Sequence, residues 1–351
     1  MAKKRINLAL QGGGAHGAFT WGALDRLLDE EDIEVEAISA TSAGAMNAAA
    51  FKAGWASGGR EGARKALAGF WLRLAGVDGH VAEVLGDWLR AVAPSPASLS
   101  RMLELSPTVL GTEGLTRMFS PYQLNPLGFH PLRSMVDDLM EQGDVGCKDE
   151  PKLMIAATNV RTGKVRVFTG DEVTTDAILA SACLPTIFQA IEIDDPKTGR
   201  REAYWDGGYM GNPALFPLFY QSECRDILIV HINPIERNDL PFTSTEILNR
   251  INEISFNASL LRELRAVDLV NRLIDEGILP QGRMTRNRIH SVADDDFMSQ
   301  LGIASKMTPS KALMVQLMDA GHAAMDRFLA AHKDDIGKQS SVDLQAVFGS
   351  A

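Results

Sequence analysis

The chain has 351 residues, 45% of them hydrophobic and 23% charged, with a formal net charge of −10 at pH 7. That balance is ordinary for a folded globular protein, while the acidic excess argues against wholesale nucleic-acid binding and against simple electrostatic adsorption to an anionic membrane. No run approaches the roughly 20 apolar residues that cross a bilayer, and the three cysteines, Cys147, Cys183 and Cys224, form neither a metal pattern nor a disulfide framework.

Lys3, Lys4 and Arg5 precede an apolar run, Ile6 to Leu10, that ends at Gln11 and three glycines. Five apolar residues are too few for the core of a secretory signal, so the expected location is cytoplasmic, with peripheral contact to a membrane surface left open. The run reads instead as a short buried strand. Beyond Gly12-Gly13-Gly14, the spacing of Phe19, Ala23, Leu24, Leu27 and Leu28 predicts a helix. Ile33 to Ser39 reads as a second strand, followed by Thr41-Ser42-Ala43-Gly44 and an Ala-rich helix through Ala53. Two strand–glycine turn–helix units in tandem predict an α/β fold of three layers, a mainly parallel central sheet flanked by helices.

From about 58 to 150 the strand signal fades. Val81, Val84, Leu85, Trp88, Leu89 and Val92 mark an amphipathic helix stopped by Pro94 and Pro96, within a helical insertion that either packs on the domain or covers a site. Strands return at Lys152–Ala157 and Lys164–Phe168, a helix at Thr175–Ala182, and a hairpin joins Ala190–Ile193 to Glu202–Trp205. Ile227–Ile232 is another buried strand. Thr243 with Glu246 forms a capping box for a helix whose apolar positions are Ile247, Ile251, Ile254, Ala258 and Leu261. A last helix is expected from Pro309 to Ala331. A single domain, 1–332, with a helical C-terminal part from about 243, is then followed by a loose polar tail, 333–351.

Ser42 stands between a strand and a helix among small residues, the setting of a nucleophile elbow, with Ala40 replacing the first glycine of G-x-S-x-G. A plain helix N-cap would look the same in this segment. The glycines of Gln11 to Gly17 let backbone amides converge on a negative charge, either the oxyanion of acyl transfer or a phosphate. G-x-G-x-x-G can be laid over Gly12, Gly14 and Gly17, yet Glu34 and Glu36 lie in the strand that ends at the Ser42 turn, and the Lys-Ser/Thr ending of a P-loop is missing. An oxyanion hole is the better fit. Asp206 ends a strand before Gly207-Gly208. Alone this reads as a turn, but a desolvated carboxylate within reach can take a serine proton.

Taken together, G-G-G-x-x-G, S-x-G about thirty residues later and a distant D-G-G resemble the patatin-like phospholipase family, in which a Ser–Asp dyad replaces the Ser–His–Asp triad. The resemblance implies Ser42 as nucleophile, Asp206 as proton acceptor, and the amides of Gly12, Gly13 and Gly14 as oxyanion hole. Ser181 to Phe188 resembles the family's S-x-A-x-P-x-x-F stretch, and Asn212-Pro213 follows the aspartate as is common there; the likeness covers roughly residues 5–235. Two positions depart from the pattern. Ala40 stands where glycine is usual, and His16 where Lys or Arg is frequent, which would make the loop's charge depend on pH. The implied reaction is hydrolysis of lipid acyl esters, of the phospholipase A or lysophospholipase type, through an acyl-enzyme. No cofactor is implied, and no metal, since the other histidines show no pair at ligand spacing. The competing readings are a thioesterase, acyltransferase or polyester hydrolase on the same site, a lipid-surface binding protein without activity, and a nucleotide-binding enzyme. Oligomeric state is not encoded in any motif.

Overall fold

The structure, a computed structural model, describes residues 3–76, 119–143, 145–147, 151–279, 284–302, 305–306 and 309–348. The amphipathic stripe from Val81 to Val92 lies outside them. In chain order the main elements are β1 (Lys4–Leu10), α1 (Ala18–Leu27), β2 (Ile33–Ala40), α2 (Ala43–Leu74), α3 (Arg133–Gln142), β3 (Lys152–Asn159), β4 (Val165–Thr169) and α4 (Thr175–Ser181). They continue with β5 (Ile191–Asp195), β6 (Arg200–Asp206), α5 (Phe216–Gln221), β7 (Asp226–Val230), α6 (Ser244–Asp275), β8 (Arg288–Val292), α7 (Lys311–His332) and α8 (Leu344–Phe348).

Eight strands make one sheet in the order β5-β6-β3-β2-β1-β7-β8, with β4 also paired to β3. The five from β3 to β8 along this path are parallel, and β4, β5 and β6 are antiparallel additions. Alternation along the strands serves two apolar layers. Ile6, Leu8 and Leu10 join α1, α2 and α7 on one face, whereas Ala9, Ile227 and Ile229 join α5, α6 and α8 on the other. The fold is thus the three-layer α/β arrangement expected.

Four features depart from the sequence reading. The Ala-rich helix does not stop near Ala53 but runs to Leu74, broken at Gly58–Gly59, so the start of the expected insertion is continuous with α2. β8 escapes a hydrophobicity reading because its polar residues are paired inside: His290 lies 3.1 Å and Arg288 2.7 Å from Asp226, a buried residue. The polar tail is not loose. Ile336 and Leu344 are buried, and the Gly337 amide donates to Asp226 at 2.8 Å.

The fourth departure concerns α6. Its capping box is formed by Thr243 and Glu246. Its apolar stripe, however, faces outward: Ile247, Ile251 and Ile254 are 42–55% exposed. The helix buries the opposite face, where Asn249, Glu253 and Asn257 precede Leu260, Leu264 and Val267. A polar face turned inward must have buried polar partners, and these lie beside the glycine loop.

Candidate active site

The meeting of Ser42 with Asp206 follows from strand register. β3 pairs along one edge with β4 over Met154–Thr158. Its other edge is shared end to end, because β2 takes Lys152–Ile155 and β6 takes Ala157–Asn159. Ala40, the last residue of β2, lies opposite Ile155, and Asp206, the last of β6, lies opposite Ala157. Two strands running in opposite directions therefore end head to head, about 6.6 Å apart along β3. Two side chains of β2 and the turn tie the segments together: Thr41 Oγ1 donates to the Gly211 carbonyl at 2.7 Å, and Ser39 donates to that of Ala214.

Ser42 has φ 55° and ψ −122°, the one positive φ at a non-glycine among the described residues. That backbone costs about 1–3 kcal/mol and persists only where its surroundings impose it. They do so here. The Ser42 amide donates to Ser181 Oγ at 2.9 Å, and the Ser181 hydroxyl donates in turn to the Ala156 carbonyl at 2.6 Å. Gly44 allows the turn to press on β1, since a Cβ there would stand 2.3 Å from the Leu10 carbonyl oxygen. Ala40 is buried in the core. The Ser42 side chain makes no capping bond, so the geometry is that of an elbow and not of a helix cap.

Asp206 is 1% exposed. Its Oδ1 accepts from the Gly208 amide at 2.7 Å, its amide donates to the Cys183 carbonyl at 2.8 Å, and its carbonyl accepts from Thr158 Oγ1 at 2.8 Å. Oδ2 is buried without a hydrogen bond of ordinary geometry. Burial pushes the carboxyl up to about 6, against the Gly208 amide and the Ser42 hydroxyl, which hold it down. Ser42 thus stands beside the carboxylate, with no hydrogen bond of ordinary geometry between the two side chains. Such contacts are commonly long before substrate binds.

The glycine loop lies against the elbow, for a Cβ on Gly12 would meet Ser42 Cβ at 2.5 Å. Its three amides are not equivalent. That of Gly12 donates to Asn212 Oδ1 at 2.6 Å. Gly13 and Gly14 open a 3-10 turn, Gly14–Gly17, and no acceptor is seen for their amides among the described residues. His16 is buried with Nε2 2.8 Å from Ser305 Oγ. Burial first, then the charges of Lys306 and Arg237, hold the imidazole well below its usual range. Burial therefore opposes the pH-dependent loop charge expected at His16 by favouring the neutral ring.

A cavity of about 440 Å³ adjoins the loop and the elbow, lined by Gly14 and Ala43 at one end and by Met46, Trp71, Leu132 and Phe188 beyond. Its walls are largely apolar, as a pocket for a hydrocarbon chain requires. Among the described residues no group of three His, Cys, Asp or Glu side chains is arranged to hold a metal ion, and no helix is long and apolar enough to cross a membrane.

An elbow serine beside a buried carboxylate and a glycine turn, at the C-terminal edge of a mainly parallel sheet, is the arrangement expected of the α/β hydrolase class. Residues 8–219 match the family model described as patatin-like phospholipase, and the chain belongs to that family. Membership implies lipid acyl hydrolase activity. Among solved structures, VipD from Legionella pneumophila is similar at a TM-score of 0.40 and 14% identity, over 95% of this chain and 67% of that one. Comparison with curated protein sequences gives no match.

Sequence reasoning marked Ser181 and Asn212 only through resemblance and gave them no task. Asn233 and Asn257 it missed; the one available signal was a polar stripe at helical spacing, Asn249, Glu253 and Asn257, opposite the apolar one.

Proposed function

We propose that the protein hydrolyses acyl esters of lipids, phospholipids or lysophospholipids, with Ser42 as nucleophile and Asp206 as its base. The observation that carries this reading is the buried, unpartnered Oδ2 of Asp206 at the head-to-head junction with the strained Ser42. With the carboxyl near 6, the ionised form outweighs the protonated one by about tenfold at pH 7, so the base is ready and still holds protons well enough to return them. Asp206 takes the hydroxyl proton as Ser42 Oγ attacks the ester carbonyl. The carbonyl oxygen becomes an oxyanion facing the amides of Gly13 and Gly14, for which no other acceptor is seen among the described residues. Collapse breaks the bond to the alcohol, which leaves with the proton from Asp206. Water then gives its proton to Asp206 and attacks the acyl-enzyme, and release of the acid restores Ser42.

Gly12 has a different part in this scheme, since its amide is already engaged by Asn212 and its place is structural. The apolar cavity beside Gly14 and Ala43 suits the acyl chain. The test is release of acid from a panel of phospholipids, lysophospholipids, acyl thioesters and hydroxyacyl esters, by wild type beside Ser42→Ala and Asp206→Asn, with products identified by mass spectrometry. Phospholipid or lysophospholipid turnover that vanishes in both variants is expected. Turnover of thioesters alone would replace the substrate assignment, and turnover surviving either substitution would refute the dyad.

A further inference from the structure

Behind the glycine loop stand four amide side chains to which the reaction gives no part: Gln11, Asn212, Asn233 and Asn257, none more than 3% exposed. Burying an amide is costly unless its donors and acceptors are matched. Here the matching converges on Gly12. Asn212 accepts the Gly12 amide proton on Oδ1 at 2.6 Å and returns Nδ2 to the Gly12 carbonyl at 3.3 Å. Asn233 gives that carbonyl a second donor, Nδ2 at 2.8 Å. Its Oδ1 accepts from the Lys306 ammonium at 3.1 Å, which fixes the orientation of the amide, because the reverse would set NH₂ against ammonium.

The remaining members hold the two asparagines in place. Gln11 Oε1 accepts from the Asn233 amide at 3.0 Å, and Gln11 Nε2 donates to the Asn212 carbonyl at 3.2 Å. Asn257, from the inward polar face of α6, donates to the Asn233 carbonyl at 3.3 Å. Lys306 lies 3.7 Å from the buried Glu253 on the same face.

The Gly12 carbonyl and the Gly13 N–H belong to one planar trans peptide and point in opposite directions. Two donors on the carbonyl therefore turn the Gly13 N–H away from the amide cluster, and a chain of hydrogen bonds starting at an ammonium polarises it further. We propose that Asn212 and Asn233 are the positioning residues of the oxyanion hole: they clamp Gly12 so that the Gly13 N–H is aimed and polarised toward the developing oxyanion, with Lys306 reinforcing Asn233. This inference rests on the serine hydrolase reading above.

The test compares wild type with Asn212→Asp, Asn233→Asp and Lys306→Met. Each Asp keeps the shape of the side chain and removes the Nδ2 donor; the Met keeps the stem and removes the charge. Besides kcat and KM, two affinities are measured: for an alkyl trifluoromethyl ketone, whose addition to Ser42 generates an oxyanion visible by ¹⁹F NMR, and for an ether analogue of the substrate, which generates none. We expect kcat to fall about a hundredfold in the Asn→Asp variants and about fivefold in Lys306→Met, with KM unchanged. Ketone affinity should fall in parallel while ether affinity holds within about twofold. A kcat within about twofold of wild type, or ketone and ether affinities that fall together, would overturn the inference. If either Asp variant fails to fold, Lys306→Met decides it by the same two affinities. Absence of a ketone adduct in the wild type would overturn the reaction itself and this inference with it, whereas an adduct equally tight in all variants would overturn the inference alone.

Discussion

Replacing Asp206 by Asn should remove activity and make the protein more stable at neutral pH. The carboxyl is pushed by burial from an ordinary 3.8 to about 6 in the folded chain. Between those values the folded state holds a proton that the unfolded state has released, so stability falls as pH rises through this window. Above pH 6 the wild type carries nearly the whole penalty, about 3 kcal/mol. Asn keeps the oxygen that accepts from the Gly208 amide and offers an NH₂ toward Ser42, without a charge to desolvate. The expected gain is up to about 3 kcal/mol at pH 7.5 and close to zero at pH 4. Urea denaturation of wild type and Asp206→Asn at pH 4, 5.5 and 7.5 measures it, beside ester hydrolysis on the same samples. A gap that does not change with pH, or a less stable variant at pH 7.5, would refute the placement of a strained charge at this position.

Three further outcomes follow from the same geometry. The pH profile of kcat/KM should be half-maximal near 6 and fall about tenfold per unit below it, as the base is protonated; a profile flat down to pH 4.5 would contradict Asp206 as that base. Ser181→Ala leaves the Ser42 amide and the Ala156 carbonyl without partners, so denaturant titration should show a loss of about 1–3 kcal/mol, with kcat lowered as the elbow relaxes; an unchanged midpoint would deny Ser181 this task. Leu132→Trp fills the apolar cavity and should shift turnover toward shorter acyl chains across a chain-length series, while an unchanged preference would place the acyl chain elsewhere.

Local chemistry made part of this architecture readable. Ile6 to Leu10 and Ile33 to Ser39 announce buried strands, the glycines after Leu10 announce a turn, and small residues around Ser42 announce an elbow. Asp206 is visible as the polar end of a strand. What the chain order does not reveal is that β2 and β6 divide one edge of β3 between them, the register that brings Ser42 to Asp206 from 164 positions away. Polar interiors were also hidden. β8 carries Arg288 and His290 inward to Asp226, and α6 turns Asn249, Glu253 and Asn257 inward while Ile251 and Ile254 meet solvent. Hydrophobic periodicity does not find such faces, because they are buried for hydrogen bonds and ion pairs and not for removal of apolar surface from water.

The central claim is that Ser42 is a nucleophile activated by Asp206. It is tested most directly by exposing wild type and Asp206→Asn to an alkyl fluorophosphonate at pH 7.5 and locating the adduct by peptide mass spectrometry. A single adduct on Ser42 in the wild type, formed at least a hundredfold more slowly in Asp206→Asn, is the predicted result. An adduct on another residue, or labelling of Ser42 at the same rate without the carboxylate, would contradict it.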